Sequence, residues 1–315
     1  MKEKYHQLCN TQNSIPIFSQ DWWLDIVCGN DKWDVLLIED KGHIKAAFPI
    51  YIPCQGIISM PPMTQTMGPW FAPNSEDTKH TKALGKQQVL SKKLIDLLPP
   101  HSIFLQNFSH TITDWLPFYW AGYQQTTRYT YRLSEIKLKE KLCENMTSNI
   151  HRNIIRAKEK HRITVKKGIS IEAFLRVQAQ TFERQQISNN TDIKVLTQLI
   201  QACRERNQGD LWGGYDEKRQ LHAAVFIVWQ DNTAWYLAGG GNPTLRNSGA
   251  HSLILWECIC YVSQFTNTFD FEGSMIPGVE RFFREFGAIQ TPYFTITKGK
   301  LSLINRVRIK LGKLF

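Results

Sequence analysis

The sequence predicts a two-lobed, mixed α/β protein, and three observations predict it. A chain of 315 residues suits two domains of about 150 residues each. Strand and helix patterns alternate along most of its length, as in layered α/β folds. The second half reads helix–helix, three strands, helix, strand, helix, strand. The first half shows that order more loosely, as an internal duplication would leave it.

In the first half, polar cap candidates ahead of apolar residues at helical spacing give a helix over Phe18–Val27. Asp34–Glu39 and Ile44–Ile52 read as strands joined by a turn around Asp40–His43. Gly56–Pro73, rich in Pro, Met and Gly, reads as an irregular run with short extended pieces. A helix over Thr78–Leu98 ends at Pro99-Pro100. Ser102–Phe108 is a strand, Thr113–Ala121 a short helix and Gln124–Leu133 another strand.

The boundary between the halves is a charged helical stretch, Lys137–His161. Its apolar stripe is Leu138, Leu142, Met146, Ile150 and Ile154, and basic residues gather at its end. Helices over Ile171–Gln186 and Asp192–Arg206 come next, then a hairpin of Leu211–Tyr215 with His222–Gln230. Thr233–Gly239 is a strand, His251–Phe265 a helix, Thr268–Phe271 a strand, Val279–Phe286 a short helix and Tyr293–Lys298 a last strand. The organisation expected is therefore a first lobe over 1–136, a boundary helix over 137–162, a second lobe over 163–298 and a tail over 299–315.

Composition sets the class. Hydrophobic content of 42% and charged content of 21% allow each half a core of its own. Seven cysteines without regular spacing fit a reducing cytoplasm better than a secreted disulfide scaffold. Cys258 and Cys260 point to different helix faces and the histidines form no ligand pair, so no metal site is expected. No signal peptide or apolar span long enough to cross a membrane is apparent. The excess of 38 basic over 28 acidic residues, net +10, favours a polyanionic partner without choosing among nucleotide phosphates, RNA, anionic lipid or an acidic glycan.

One loop points to chemistry. The strand ending in Gly239-Gly240-Gly241 leads through small residues into a helix, where exposed N–H groups and the helix dipole can hold a pyrophosphate. Arg246 adds a charge. Arg246-Asn-Ser-Gly249-Ala250 resembles a shortened form of the acyl-CoA loop of GNAT acyltransferases, Arg/Gln-x-x-Gly-x-Gly/Ala. The Trp256-Glu257 pair, the Phe269-Asp270-Phe271-Glu272-Gly273 turn and the helix ending in Phe286-Gly287 resemble the FemAB-like branch, built from two GNAT folds. His151-Arg152-Asn153-Ile154-Ile155-Arg156-Ala157 is similar to the segment that opens the second half in that branch.

The resemblance implies two GNAT-like lobes, each a mixed, mostly antiparallel sheet flanked by helices, with the first lobe degenerate and a catalytic cleft between them. It implies N-acyl transfer from acyl-CoA to an amine of a sugar, peptide or cell-envelope precursor. On that reading Arg246, Asn247, Ser248, Gly249, Ala250 and His251 hold the donor. Glu272 and Asp270 are candidate proton acceptors, Asp270 having a turn cap as its structural alternative. Tyr236, Arg152, Arg156, Phe283 and Arg284 face substrate, Phe283 and Arg284 standing where the family places a Lys beside a Phe. Two alternatives stay open: an aminoacyl-tRNA donor acting on a peptidoglycan precursor, and a non-catalytic binding protein. The basic amphipathic segment 301–315 either packs as a last helix or meets an anionic membrane, so the protein is expected in the cytoplasm, free or at the membrane surface.

Overall fold

The computed structural model describes residues 1–75, 77–185 and 192–299; the basic tail and its expected membrane contact lie outside them. The chain clusters into two compact units. One comprises Met1–Arg128 with the chain from Pro292 onward, the other Tyr129–Thr291.

The first unit opens with helices α1 (Lys2–Thr11) and α2 (Asp21–Cys28). The sequence reading has no counterpart for α1, because its polar stretch turns just Tyr5 and Cys9, one helical turn apart, into the core. The Tyr5 hydroxyl donates to Ser19 O at 2.7 Å. Strands β1 (Trp33–Asp40) and β2 (His43–Cys54) form a hairpin whose two turn residues, Lys41 and Gly42, both have positive φ, as a tight type I′ turn requires. Then come β3 (Ile57–Ser59), β4 (Trp70–Phe71), α3 (His80–Asp96), β5 (Ile103–Asn107) and α4 (Leu116–Trp120). The sheet runs β1-β2-β3-β5, with β4 on β2 and β3 parallel to β5.

The second unit takes up the end of β6 (Gln124–Ser134). The expected long boundary helix is broken into α5 (Lys139–Asn145) and α6 (Ser148–Ile155), extended by a π turn over Arg156–Lys160. Met146 is extended, and the break frees Thr147 N to donate to Glu285 O at 3.0 Å. Next are β7 (Thr164–Lys167), α7 (Ile171–Gln185), α8 (Ile193–Glu205), β8 (Gly209–Tyr215), β9 (Leu221–Gln230), β10 (Thr233–Gly241), α9 (Ala250–Val262), β11 (Thr268–Asp270) and α10 (Pro277–Arg284). The order is β6-β11-β10-β9-β8-β7, antiparallel between neighbours except for the parallel pair β10–β11. Helix α9 is apolar around most of its circumference and sits in the core with Phe269, Phe271 and Phe286.

The last strand, β12 (Ile289–Lys298), includes the Tyr293–Lys298 segment that the sequence reading places in the second lobe. Its end pairs antiparallel with β5, Thr295 opposite Asn107, within the first unit. Ile296 explains this: it is fully buried in the core that holds Phe48 and Phe104.

Candidate functional site

The site begins where two parallel strands part. Strands β10 and β11 pair from Thr233/Thr268 to Trp235/Asp270, where β11 ends. Strand β10 runs on to Gly241, with a bulge between Tyr236 and Ala238 against β9. Beyond the parting lies a cavity of about 410 Å³, lined by residues of the second unit alone. Tyr236 and the Gly239–Gly241 run line it from β10, Arg246, Ser248 and His251 from the loop, and Phe282 and Phe283 from α10.

The loop is a single turn over Arg246–Ser248 followed by Gly249, which caps α9 at φ +80°. Gly249 is required twice: for that left-handed backbone, and because a Cβ there would lie 2.1 Å from Asn153 O of α6. Arg156 Nη1 donates to Asn247 O at 3.3 Å, so the π turn also braces the loop. Ser248 is buried and accepts from Ala250 N, so its hydroxyl holds the loop itself. Arg246 and Asn247 are exposed at the rim. The first N–H groups of α9 are therefore presented beside one guanidinium.

Tyr236 Oη lies 3.2 Å from His251 Nε2. Burial raises the Tyr236 phenol, with the Glu272 carboxylate adding to the effect. Burial lowers His251 to about 4, so the imidazole is neutral at physiological pH. The Tyr236 ring meets His251 and Phe283 edge-on, and Phe283 stacks on Phe271 at 5.1 Å. Gly239 makes room for the phenol: a Cβ there would stand 2.2 Å from Tyr236 Oη.

The two carboxylates differ sharply. Asp270 is 2% exposed, accepts from Thr130 Oγ1 and from Glu272 N at 2.8 Å, and pairs with Arg132 Nε at 3.4 Å. It caps the turn that carries Glu272. Glu272 has φ +59°, and its enclosed Oε1 has no hydrogen-bond partner among the described residues. Burial and then the neighbouring Asp270 raise its carboxyl well above the usual range. The next residue, Gly273, packs so closely that a Cβ would lie 2.1 Å from Tyr129 O.

Residues 144–284 match the family model described as an acetyltransferase (GNAT) domain. The second unit carries a GNAT acyltransferase domain. The whole chain has a tandem GNAT-like fold similar to FemX, at TM-score 0.68 and 11% identity over 99% of this chain and 98% of that one. It is also similar to L-PGS from Bacillus licheniformis, at TM-score 0.52 and 10% identity over 86% of each chain. A tandem GNAT protein from the clavulanic acid biosynthesis pathway aligns at TM-score 0.51 and 8% identity, over 84% of this chain and 82% of that one. No curated protein sequence matches the chain.

Within this GNAT domain the fold brings Tyr236, Arg246, Ser248, Ala250, His251 and Phe283 to one cavity. Glu272 and Asp270 are outside its lining, although the Glu272 charge reaches Tyr236. Arg152 is exposed on α6, and Arg284 is tied to Glu280 by a 2.9 Å bond on the outer face of α10. Sequence reasoning missed several lining residues, Thr181, His222 and Phe282 among them. Thr181 and His222 come from α7 and β9 and carry no local signal. Phe282 was within reach, since it stands beside Phe283 in the aromatic motif.

Proposed function

We propose that the GNAT domain transfers an acyl group from acyl-CoA to the amine of a sugar, peptide or cell-envelope precursor in the cytoplasm. One observation carries the reading: the cavity at the parting of β10 and β11 meets the N-terminus of α9 and Arg246 at one rim. The donor pyrophosphate sits on the α9 N–H groups and Arg246, which puts the thioester arm into the cavity. Its carbonyl oxygen accepts from Tyr236 Oη. Because the phenol is raised and His251 is neutral, this pair donates a hydrogen bond without carrying charge. The amine nitrogen attacks the carbonyl carbon, the N–C bond forms, and the C–S bond breaks. Glu272, outside the cavity lining, takes the amine proton through a bridging water, and that proton passes on to the leaving thiolate. Asp270 is a positioning residue that holds the Glu272 turn. Segment 301–315 brings the protein to an anionic membrane that carries the acceptor.

Titration with an acyl-CoA, followed by calorimetry, tests the donor site. Saturable binding is expected, weakened about tenfold, or about 1.4 kcal/mol, by Arg246→Ala. No saturable binding would overturn the reading.

A specific feature favours a second donor. Arg152, Arg156, Lys158 and Lys160 form an exposed basic run, and Arg156 touches the donor loop. An aminoacyl-tRNA would meet this surface. Steeply salt-dependent binding of charged tRNA, without binding of acyl-CoA, would select it.

A further inference from the structure

A second concavity lies beside the acyl-transfer cavity and has a different chemical character. It encloses about 430 Å³ between α7, the β8–β9 turn and the end of β10. The two cavities meet on three elements at consecutive residues: Gln180 and Thr181, Leu221 and His222, Asn242 and Gly241. Neighbouring residues of the same three elements thus line both spaces.

Its wall is basic. Ala173, Arg176, Val177 and Gln180 recur at one-face spacing along α7, which turns the Arg176 guanidinium toward Tyr215. Opposite stands Arg219, held in the β8–β9 turn at φ +61° with its N–H on Asp216 O. No acidic residue lines the space among the described residues. The nearest acid in the turn, Asp216, is engaged: its Oδ1 accepts from Gln220 N at 2.8 Å and its Oδ2 faces His222 Nε2 at 3.3 Å. Lys166 adds a third positive charge over the Tyr215 ring at 5.6 Å. On the α7 wall, Gln180 Oε1 is enclosed with no protein partner among the described residues. The Gln180 amide also lines the space and offers N–H donors.

From this we infer that Arg176, Arg219 and Gln180 form an oxyanion site that holds a carboxylate or phosphate group of the acyl acceptor. Two guanidinium forks without a counter-carboxylate suit such a group, and the adjoining cavity puts the acceptor amine within reach of the thioester. The role as acceptor site rests on the donor reading at Arg246; the anion site itself does not.

Calorimetric titration with inorganic phosphate and with succinate tests it, and the tighter probe identifies the group. At least one is expected to bind saturably, with Kd raised tenfold or more in Arg176→Ala/Arg219→Ala. Both arginines are exposed, so this variant keeps its melting temperature. Arg246→Ala and saturating acyl-CoA should leave Kd unchanged. Failure of both anions to saturate, loss that follows Arg246→Ala, or displacement by acyl-CoA would each overturn the proposal. If acyl-CoA does not bind but the double variant still loses the anion, the site stands and the donor reading falls.

Discussion

Each unit contains a parallel strand pair joined through a helix, and the two pairs end differently. In the first unit β3 and β5 pair at Ile57/Ile103 and Ile58/Phe104. The chain then returns, so that Met67 bridges Phe108 in parallel, with Met67 N on Asn107 O and Ser109 N on Met67 O. Phe48, Phe104, Phe108 and Phe118 fill the adjoining interior with mostly edge-to-face contacts. A cavity of about 220 Å³ beside Met67 and Gly68 is lined by no titratable residue. In the second unit no bridge among the described residues re-closes β10 and β11, and Tyr236 and His251 face the cavity. The same element order thus gives packing where aromatic rings occupy the parting and an open cavity where they only rim it.

The comparison is sharpest at Glu272. Glu272→Gln should lower kcat by about 10²–10⁴-fold, the usual worth of a positioned base, while raising the melting temperature at neutral pH. The second effect follows from linkage. A carboxyl raised in the folded state binds its proton more tightly there, so its stabilising contribution is complete below the unfolded value and is lost as pH rises through the folded one. An unchanged rate would remove Glu272 from the chemistry. The wild-type pH–rate profile should accordingly rise through an apparent pKa above the ordinary glutamate range.

Phe108→Ala in the filled unit should cost about 3–5 kcal/mol on denaturant unfolding, yet leave KM for the donor unchanged. A raised KM instead would show that the two partings are not functionally separate. Gly249→Ala should cost about 2–3 kcal/mol and weaken donor binding, because the loop must move off Asn153. Wild-type donor affinity in that variant would show that the loop is not the donor site. The smallest effect belongs to His251. Its folded value of about 4 lies below the unfolded one, so stability should decline as pH falls from about 6.5 toward 4. His251→Gln should flatten that slope in melts recorded across the range.

Much of the fold was legible because apolar periodicity is local. The β1–β2 hairpin, α3, the β8–β9 hairpin and the order β10-α9-β11-α10 all follow from neighbouring residues. What was not legible depends on distant partners. Strand β7 has no alternation to announce it and exists through its pairing with β8. The break at Met146 depends on Glu285, far along the chain. At the site, the small residues before α9 form one contiguous stretch, and the loop could be read from them. The Tyr236–His251 bond joins residues fifteen apart on a strand and a helix, and no spacing rule announces it. Arg152 and Arg156 look equivalent as an i, i+4 pair, but the π turn starting at Arg156 changes its reach, and that residue contacts the loop.

The return of β12 to β5 has a consequence for synthesis. Thr295 Oγ1 bonds Asn107 Oδ1 across 188 residues, so the first unit cannot complete its sheet until β12 has left the ribosome. The GNAT domain, being contiguous from Tyr129 to Thr291, can fold before the unit that precedes it in the chain. A nascent chain arrested at Thr291 should already protect the interior of the second unit from protease, while β5 remains open to cleavage.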